Sequence, residues 1–141
     1  MVYETFSHLS DAGVRGIGRS WSEAFVEGAK AMFSLQVTNL DNVQPVNAVN
    51  VKASAKDMAA LFVEWLNELI FLRDTESLFF SDFEVKISGQ EGDYQLTGIA
   101  KGEKLDLKRH QTNVDVKAAT YSGLRCEQKA GEYLCQCVVD I

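Results

Sequence analysis

The chain has 141 residues, and its 46% hydrophobic and 24% charged residues are typical of a folded protein and exclude a disordered or low-complexity chain. A chain of this length is expected to form one domain, 1–141, with a core of its own. The 20 acidic and 14 basic residues give a net charge of −6, so the protein should repel phosphate groups, and stable direct binding to nucleic acid is disfavoured.

The N-terminal residues predict neither a leader nor a membrane anchor. They lack the basic and apolar regions of a secretory signal, and no later run approaches the roughly 20 apolar residues of a membrane span. We therefore expect a cytoplasmic protein that does not enter a membrane.

Glycines and short apolar runs at the start of the chain predict a strand at 3–8, a turn at 11–13 and an extended segment at 14–18.

Two helices are predicted from capping residues followed by apolar residues at helical spacing. Ser20 and Glu23 have the spacing of a capping box, so the first helix begins near Trp21. The second helix begins at Asp57 and carries leucines and aromatic residues at i, i+3 and i+4, with Arg73 among the residues toward its polar side.

The rest of the chain is predicted to be mostly strand. The predicted strands are 46–54, a hairpin of 83–87 and 94–98 around a turn at 89–93, and then 114–124 and 132–141, joined through 127–131. This order predicts an α+β fold in which two helices cover a mixed or mostly antiparallel sheet. The pattern leaves open whether a second, smaller sheet is present.

Three cysteines lie near the C-terminal end, at Cys126, Cys135 and Cys137. Their odd number, in a chain expected in a reducing compartment, argues against a disulfide framework, and their spacing does not match a zinc site. We interpret them as small buried residues, with a redox switch as the alternative.

Familiar catalytic motifs are absent from the sequence. It contains no phosphate-binding glycine loop, no nucleophile elbow and no zinc-protease helix, and its two histidines, His8 and His110, rule out a site with several histidine ligands. The segment 101–129 carries an excess of three positive charges. It could contact a phosphate or an acidic partner, although a solvated loop with pairs inside the chain is the simpler interpretation.

Two aspartates and the last residue form a candidate metal site. The simplest interpretation of Asp11, after the first strand, is an acceptor in an Asx turn, and that of Asp140 is a solvent-facing carboxylate on an edge strand. If the last strand is held in the sheet, however, the Ile141 α-carboxylate is a fixed anion beside Asp140, and a cluster with Asp11 would require a cation. Oxygen ligands favour a hard ion such as Ca²⁺ or Mg²⁺ over zinc.

Several segments in a specific order and spacing carry a family resemblance over nearly the whole chain. They are Ser7-His8-Leu9-Ser10-Asp11-Ala12-Gly13, Leu66-Asn67-Glu68-Leu69, Asp74-Thr75-Glu76, Phe80-Ser81-Asp82-Phe83, Gly102-Glu103-Lys104, Arg109-His110, Val116-Lys117-Ala118-Ala119-Thr120-Tyr121 and Asp140-Ile141. Together they resemble the archeases, small proteins that act as cofactors of the tRNA-splicing RNA ligase. One departure is Leu9-Ser10, where family members commonly carry Thr-Ala before the aspartate.

The resemblance implies a metal site of Asp11, Asp140 and Ile141 that binds a divalent ion, Ca²⁺ first, with Mg²⁺ or Mn²⁺ as alternatives. It implies that Lys104 contacts the ligase. It also implies a protein that is not itself an enzyme: it promotes attachment of the guanylyl group to the ligase and so allows multiple turnover, while GTP and the catalytic Mn²⁺ belong to the ligase.

Two other functions remain open at this point. One is a chaperone or specificity modulator of a tRNA-modifying methyltransferase, a role also associated with the family. The other is an independent metal-dependent hydrolase, which would require turnover by this protein alone. The sequence does not determine the oligomeric state.

Overall fold

The computed structural model describes residues 1–8 and 11–141. In these ranges the chain forms eight strands, two α-helices and a short 3₁₀ helix at Leu40–Asn42. The elements are β1 (Val2–His8), β2 (Asp11–Gly18), α1 (Trp21–Ser34), β3 (Asn47–Ala55), α2 (Met58–Glu76), β4 (Leu78–Gln90), β5 (Asp93–Lys104), β6 (Ala118–Ala119), β7 (Arg125–Lys129) and β8 (Glu132–Asp140). The predicted order is confirmed, with one additional strand in the C-terminal part.

The described strands form two antiparallel sheets. The first has the order β1-β2-β8-β6, with β7 also paired to β8, and the second has the order β3-β5-β4. Helix α1 packs against β2 and β8 of the first sheet and β4 of the second, and α2 packs against β3 and β6. The α+β prediction is therefore confirmed, and the question left open by the sequence is answered by a second sheet.

Both helices begin where their capping residues predict. The Ser20 hydroxyl accepts a hydrogen bond from the Glu23 N–H at 3.1 Å, and the Glu23 carboxylate accepts one from the Arg19 N–H at 2.6 Å. The Glu23 side chain thus bonds Arg19, the residue before the N-cap Ser20. The Asp57 carboxylate accepts a hydrogen bond from the Ala60 N–H at 2.7 Å at the start of α2. Neither helix in the described part of the chain has the length and apolar content needed to cross a membrane.

Strand β2 lies directly against α1 because it has a glycine at the point of closest approach. A Cβ atom placed on Gly16 would lie 2.0 Å from the Ala24 carbonyl oxygen and 2.3 Å from the Gly28 nitrogen. The backbone of β2 therefore contacts α1 directly. This contact fixes the position of β2, which begins at Asp11, relative to the core.

Aromatic side chains from both helices and from β4 form the centre of the core. Trp65 is fully buried on α2, and its indole N–H donates a hydrogen bond to the Phe25 carbonyl oxygen of α1 at 3.0 Å. Phe25 and Phe62 also meet edge to face, with ring centroids 5.3 Å apart. Helix–helix and helix–sheet packing thus share one set of buried rings.

The predicted turn at 11–13 is wrong. These residues are the first three of β2, and Asp11 lies opposite His8 of β1. Leu9 and Ser10, where the sequence departs from the family pattern, lie outside the described residues. Asp11 is therefore in a paired strand, and its interpretation as the acceptor of a turn at 11–13 is also wrong.

The predicted hairpin is present, but its strands are longer and its connection is shorter. Register pairing continues until Gln90 faces Asp93, leaving only Glu91 and Gly92 between β4 and β5. Gly92 has φ of 99°, a left-handed conformation that glycine adopts without strain. The second strand of the hairpin, predicted at 94–98, extends to Lys104.

The C-terminal strands differ more from the prediction. Of the predicted strand 114–124 only Ala118–Ala119 is a strand, whereas β7 occupies most of the predicted connection. Side chains of α2 also bond this backbone: the Asn67 amide bonds both backbone groups of Ala119, and Arg73 donates to the Val116 carbonyl oxygen at 2.8 Å. On either side of β6 the backbone still bonds to β8, since the Lys117 N–H donates to the Asp140 carbonyl oxygen at 2.8 Å and the Thr120 N–H donates to the Val138 carbonyl oxygen at 3.0 Å.

Arg73 is buried, which corrects its predicted place on the polar side of α2. Its guanidinium donates to the Gln36 side-chain oxygen at 2.5 Å and lies 2.9 Å from the Asp74 carboxylate and 3.4 Å from that of Asp115. A buried arginine is stable when its donors are satisfied in this way. Helical periodicity does not reveal such long-range partners.

Candidate cation site at the ends of two neighbouring strands

The pairing of β2 with β8 brings Asp11 and Asp140 to the same end of the first sheet. Ala12 lies opposite Val139 in antiparallel register, and one residue further along each strand are Asp11 and Asp140. Cα atoms of directly opposed residues in antiparallel sheets lie about 4.5–5.5 Å apart. Two of the three residues predicted for the metal site are therefore neighbours, and Ile141 follows Asp140 directly.

Both aspartates belong to the face of the sheet that points away from the helices. Val14 of β2 and Cys137 of β8 are opposed and fully buried toward the core, so alternation puts Asp11 and Asp140 on the other face. Asp140 is exposed and Asp11 is partly buried. A partner or an ion could therefore reach this strand end from solvent.

His8 belongs to the same row because it lies opposite Asp11 in β1. Its Nδ1 atom is buried and has no hydrogen-bond partner among the described residues. The strand end thus combines two carboxylates with a ring nitrogen that has no partner within 1–8 and 11–141. His8 is thus a neighbour of the site, although the sequence alone did not assign it there.

The end of β8 is held by contacts from the preceding segment. The Lys117 N–H donates to the Asp140 carbonyl oxygen at 2.8 Å, and Ala118 pairs with Asp140 through β6. Asn67 of α2 fixes Ala119 by accepting from its N–H at 2.8 Å and donating to its carbonyl at 3.1 Å. Sequence reasoning gave Asn67 and Lys117 no role, although both lie in the segments that carry the family resemblance.

The donor set at this strand end suits a hard divalent cation. Opposed carboxylates repel each other unless an ion or protons reduce their charge, and oxygen donors match Ca²⁺, Mg²⁺ or Mn²⁺. Within 1–8 and 11–141, no three His, Cys, Asp or Glu side chains lie together in a group that could hold a metal ion. The predicted set has only two such side chains and takes its third ligand from the Ile141 carboxylate.

Lys104, predicted to contact a partner, lies in the other sheet. It is the last residue of β5, pairs with Leu78 of β4 and is exposed. Together with Glu76 and Asn47 it lines a shallow depression at the end of the second sheet. The structure therefore gives Lys104 an accessible position that is separate in the fold from the aspartates.

The basic segment that follows Lys104 is anchored by a buried polar cluster. His110 is buried; its Nδ1 accepts from the Asp106 N–H at 2.8 Å, and its Nε2 faces the Asn42 carbonyl oxygen at 3.1 Å. The Glu103 carboxylate accepts from the Gln44 N–H at 2.5 Å. His110 therefore has a structural role, since both ring nitrogens are occupied.

The same cluster predicts a pH effect on stability. The Gln44 N–H and then the nearby Arg109 guanidinium lower the pKa of Glu103 below its ordinary value of 4.5. A carboxyl with a lowered pKa stabilises the fold above its unfolded pKa, and this contribution is lost as the pH falls through the folded value. Glu103→Gln should therefore melt at a lower temperature than the unmodified protein at pH 7. On acidification its melting temperature should fall by less than that of the unmodified protein.

Melting temperatures of the two proteins between about pH 7 and pH 3 would test this expectation. Glu91→Gln is the matched control, because Glu91 is exposed in the connection between β4 and β5. Equal acid sensitivity of the unmodified protein and Glu103→Gln would contradict it.

Fold and site together define a small α+β protein with an acidic strand end on the outer face of one of two sheets. Residues 3–141 match the family model described as the Archease protein family. The chain is 36% identical to Protein archease of Methanopyrus kandleri, covering 100% of both chains, and 38% identical to Protein archease of Pyrococcus abyssi, covering 99% of this chain and 98% of that one. The chain therefore belongs to the archease family.

Solved structures agree with this assignment. The solution structure of Methanobacterium thermoautotrophicum protein 1598 aligns with a TM-score of 0.85 at 31% identity, over 99% of this chain and 98% of that one. A crystal structure of an archease, described as a possible chaperone, from Thermotoga maritima aligns with a TM-score of 0.58 at 16% identity, over 96% and 94%. The second likeness concerns the fold alone.

Proposed function

We propose that this protein is a non-catalytic cofactor that activates a tRNA-splicing RNA ligase in the cytoplasm by promoting its guanylylation and multiple turnover. The observation that supports the proposal most directly is the register of β2 and β8, which makes Asp11 and Asp140 neighbours on an exposed strand end. Membership of the archease family supports the kind of partner.

In this proposal Asp11, Asp140 and the Ile141 carboxylate hold a divalent ion. When bound, the ion supplies positive charge that offsets the repulsion between the carboxylates and completes a defined surface. The contacts from Lys117 and Asn67 keep the strand end in place for docking. Lys104 contributes a separate contact with the ligase.

Activation follows if this surface binds one state of the ligase better than another. A protein cofactor shifts a conformational equilibrium only by its difference in affinity for the two states. We infer that the state bound better is the one competent for guanylylation. The net charge of −6 suits a partner with a basic surface and disfavours direct attachment to RNA.

A multiple-turnover ligation assay tests the proposal. Asp11→Ala and Asp140→Ala are each expected to reduce stimulation of the ligase strongly, because each removes one of two opposed carboxylates. Glu91→Ala, which removes an exposed carboxylate from the β4–β5 connection, is expected to stimulate as well as the unmodified protein. Unchanged stimulation by both folded aspartate variants would overturn the site assignment.

The same assay separates the other candidate functions. The second candidate, which the family resemblance implies, is a chaperone or specificity modulator of a tRNA-modifying methyltransferase; the Thermotoga maritima archease is itself described as a possible chaperone. That function predicts a complex with the methyltransferase and no effect on the ligase. Turnover of RNA or nucleotide by this protein alone would instead indicate a hydrolase.

A further inference from the structure

Two cysteines face each other across the β7–β8 pair. Cys126 of β7 lies directly opposite Cys135 of β8, and their sulfur atoms are 2.7 Å apart. A disulfide has an S–S distance of about 2.05 Å and is compatible with Cα separations of about 4.4–6.8 Å. Directly opposed residues in an antiparallel pair fall within that range, so a bond can form with little backbone movement.

The two thiols differ in their access to solvent. Cys126 is partly exposed on an edge strand, and Cys135 is fully buried. Burial raises the pKa of the Cys135 thiol well above its ordinary value. Since the thiolate is the reactive species and an oxidant must reach it, Cys126 is the thiol that reacts first.

We propose that Cys126 and Cys135 form an oxidisable pair that closes into a disulfide when the protein meets a hydroperoxide. The Cys126 thiolate attacks the terminal peroxide oxygen, the O–O bond breaks, and an alcohol or water leaves after protonation. Cys126 is then a sulfenic acid. The Cys135 sulfur attacks the Cys126 sulfur, the S–O bond breaks and water leaves, so that two thiols are oxidised and one peroxide is reduced.

Cys137 is a natural control within the same strand. It is fully buried two residues from Cys135, and burial raises the pKa of its thiol to about 12. Among the described residues no cysteine lies opposite Cys137, because the pairing of β7 with β8 ends at Arg125 and Gln136. Cys137 should therefore stay reduced while the opposed pair is oxidised.

Peptide mapping of the unmodified protein tests the proposal without relying on any variant. The reduced protein is treated with hydrogen peroxide, its free thiols are alkylated in denaturant, and it is digested with trypsin without reduction. Cleavage after Arg125 and Lys129 separates 126–129 from 130–141, so a bond between Cys126 and Cys135 joins these two peptides. Titratable thiols should fall from three to one per monomeric chain and return after treatment with dithiothreitol.

Substitutions then assign the bond. Cys137→Ser should still give the joined peptides, whereas Cys135→Ser should not. Oxidation of Cys126 to a sulfinic acid without joined peptides, a bond between Cys135 and Cys137, or a bond only between two chains would each overturn the proposal. Equal yields of joined peptides from Cys135→Ser and Cys137→Ser would do the same.

Discussion

Replacing Trp65 by alanine is expected to lower the free energy of unfolding by about 3–5 kcal/mol. Trp65 is fully buried, donates a hydrogen bond to the Phe25 carbonyl oxygen and meets Phe83 edge to face at 6.0 Å. The substitution leaves a large cavity between α2 and the second sheet and removes the donor for a buried carbonyl. Urea unfolding followed by circular dichroism measures the loss.

Trp21→Ala is the matched control because the same side chain is removed from a less buried place. Trp21 is partly exposed at the start of α1 and packs against Tyr133, with ring centroids 4.8 Å apart. A loss of about 1–2 kcal/mol is expected there. Equal losses for the two variants would show that Trp65 does not have the central place in the core that its burial indicates.

Local signals in the sequence predicted the helices well and the strands less well. Ser20 and Asp57 mark both helix starts because a cap is a contact between residues three apart, which a sequence displays directly. Strand limits depend on pairing partners elsewhere in the chain. The segment 114–124 has the composition of a strand, yet only Ala118–Ala119 is a strand, and side chains of α2 bond the backbone at Val116 and Ala119.

The residues of the candidate site were proposed from the sequence, but their relative positions could not be. The family resemblance pointed to Asp11 and Asp140, and charge alone suggested that a cluster of carboxylates would require a cation. Their proximity depends on β2 pairing with β8 across almost the whole chain, and no local pattern encodes such a pairing. His8 was missed as a neighbour because its place beside Asp11 follows only from the register of β1.

Asp140→Asn and Asp11→Asn are each expected to weaken binding of a divalent ion by about 100-fold, since losing a direct ligand should cost at least as much as losing an outer contact. The change to asparagine keeps the size of the side chain and one oxygen while removing the charge that the ion requires. Isothermal titration of metal-free protein with Ca²⁺, and separately with Mg²⁺ and Mn²⁺, measures the affinities. Asp93→Asn is the matched control, because Asp93 is an exposed aspartate at a strand end of the other sheet.

Stability in metal-free buffer distinguishes a lost ligand from a damaged fold. Like charges directly opposed in an antiparallel pair are destabilising, so neutralising Asp11 or Asp140 should leave the free energy of unfolding unchanged or raise it by about 0.2–1 kcal/mol. Added Ca²⁺ should stabilise the unmodified protein and Asp93→Asn much more than either site variant, because the stabilisation by a ligand that binds only the folded state grows with the logarithm of its concentration relative to its Kd. If the unmodified protein binds none of the three ions, or if Asp93→Asn loses affinity equally, the strand end is not a cation site. Weaker binding together with a lower free energy of unfolding would mean that these aspartates support the sheet and do not serve as ligands.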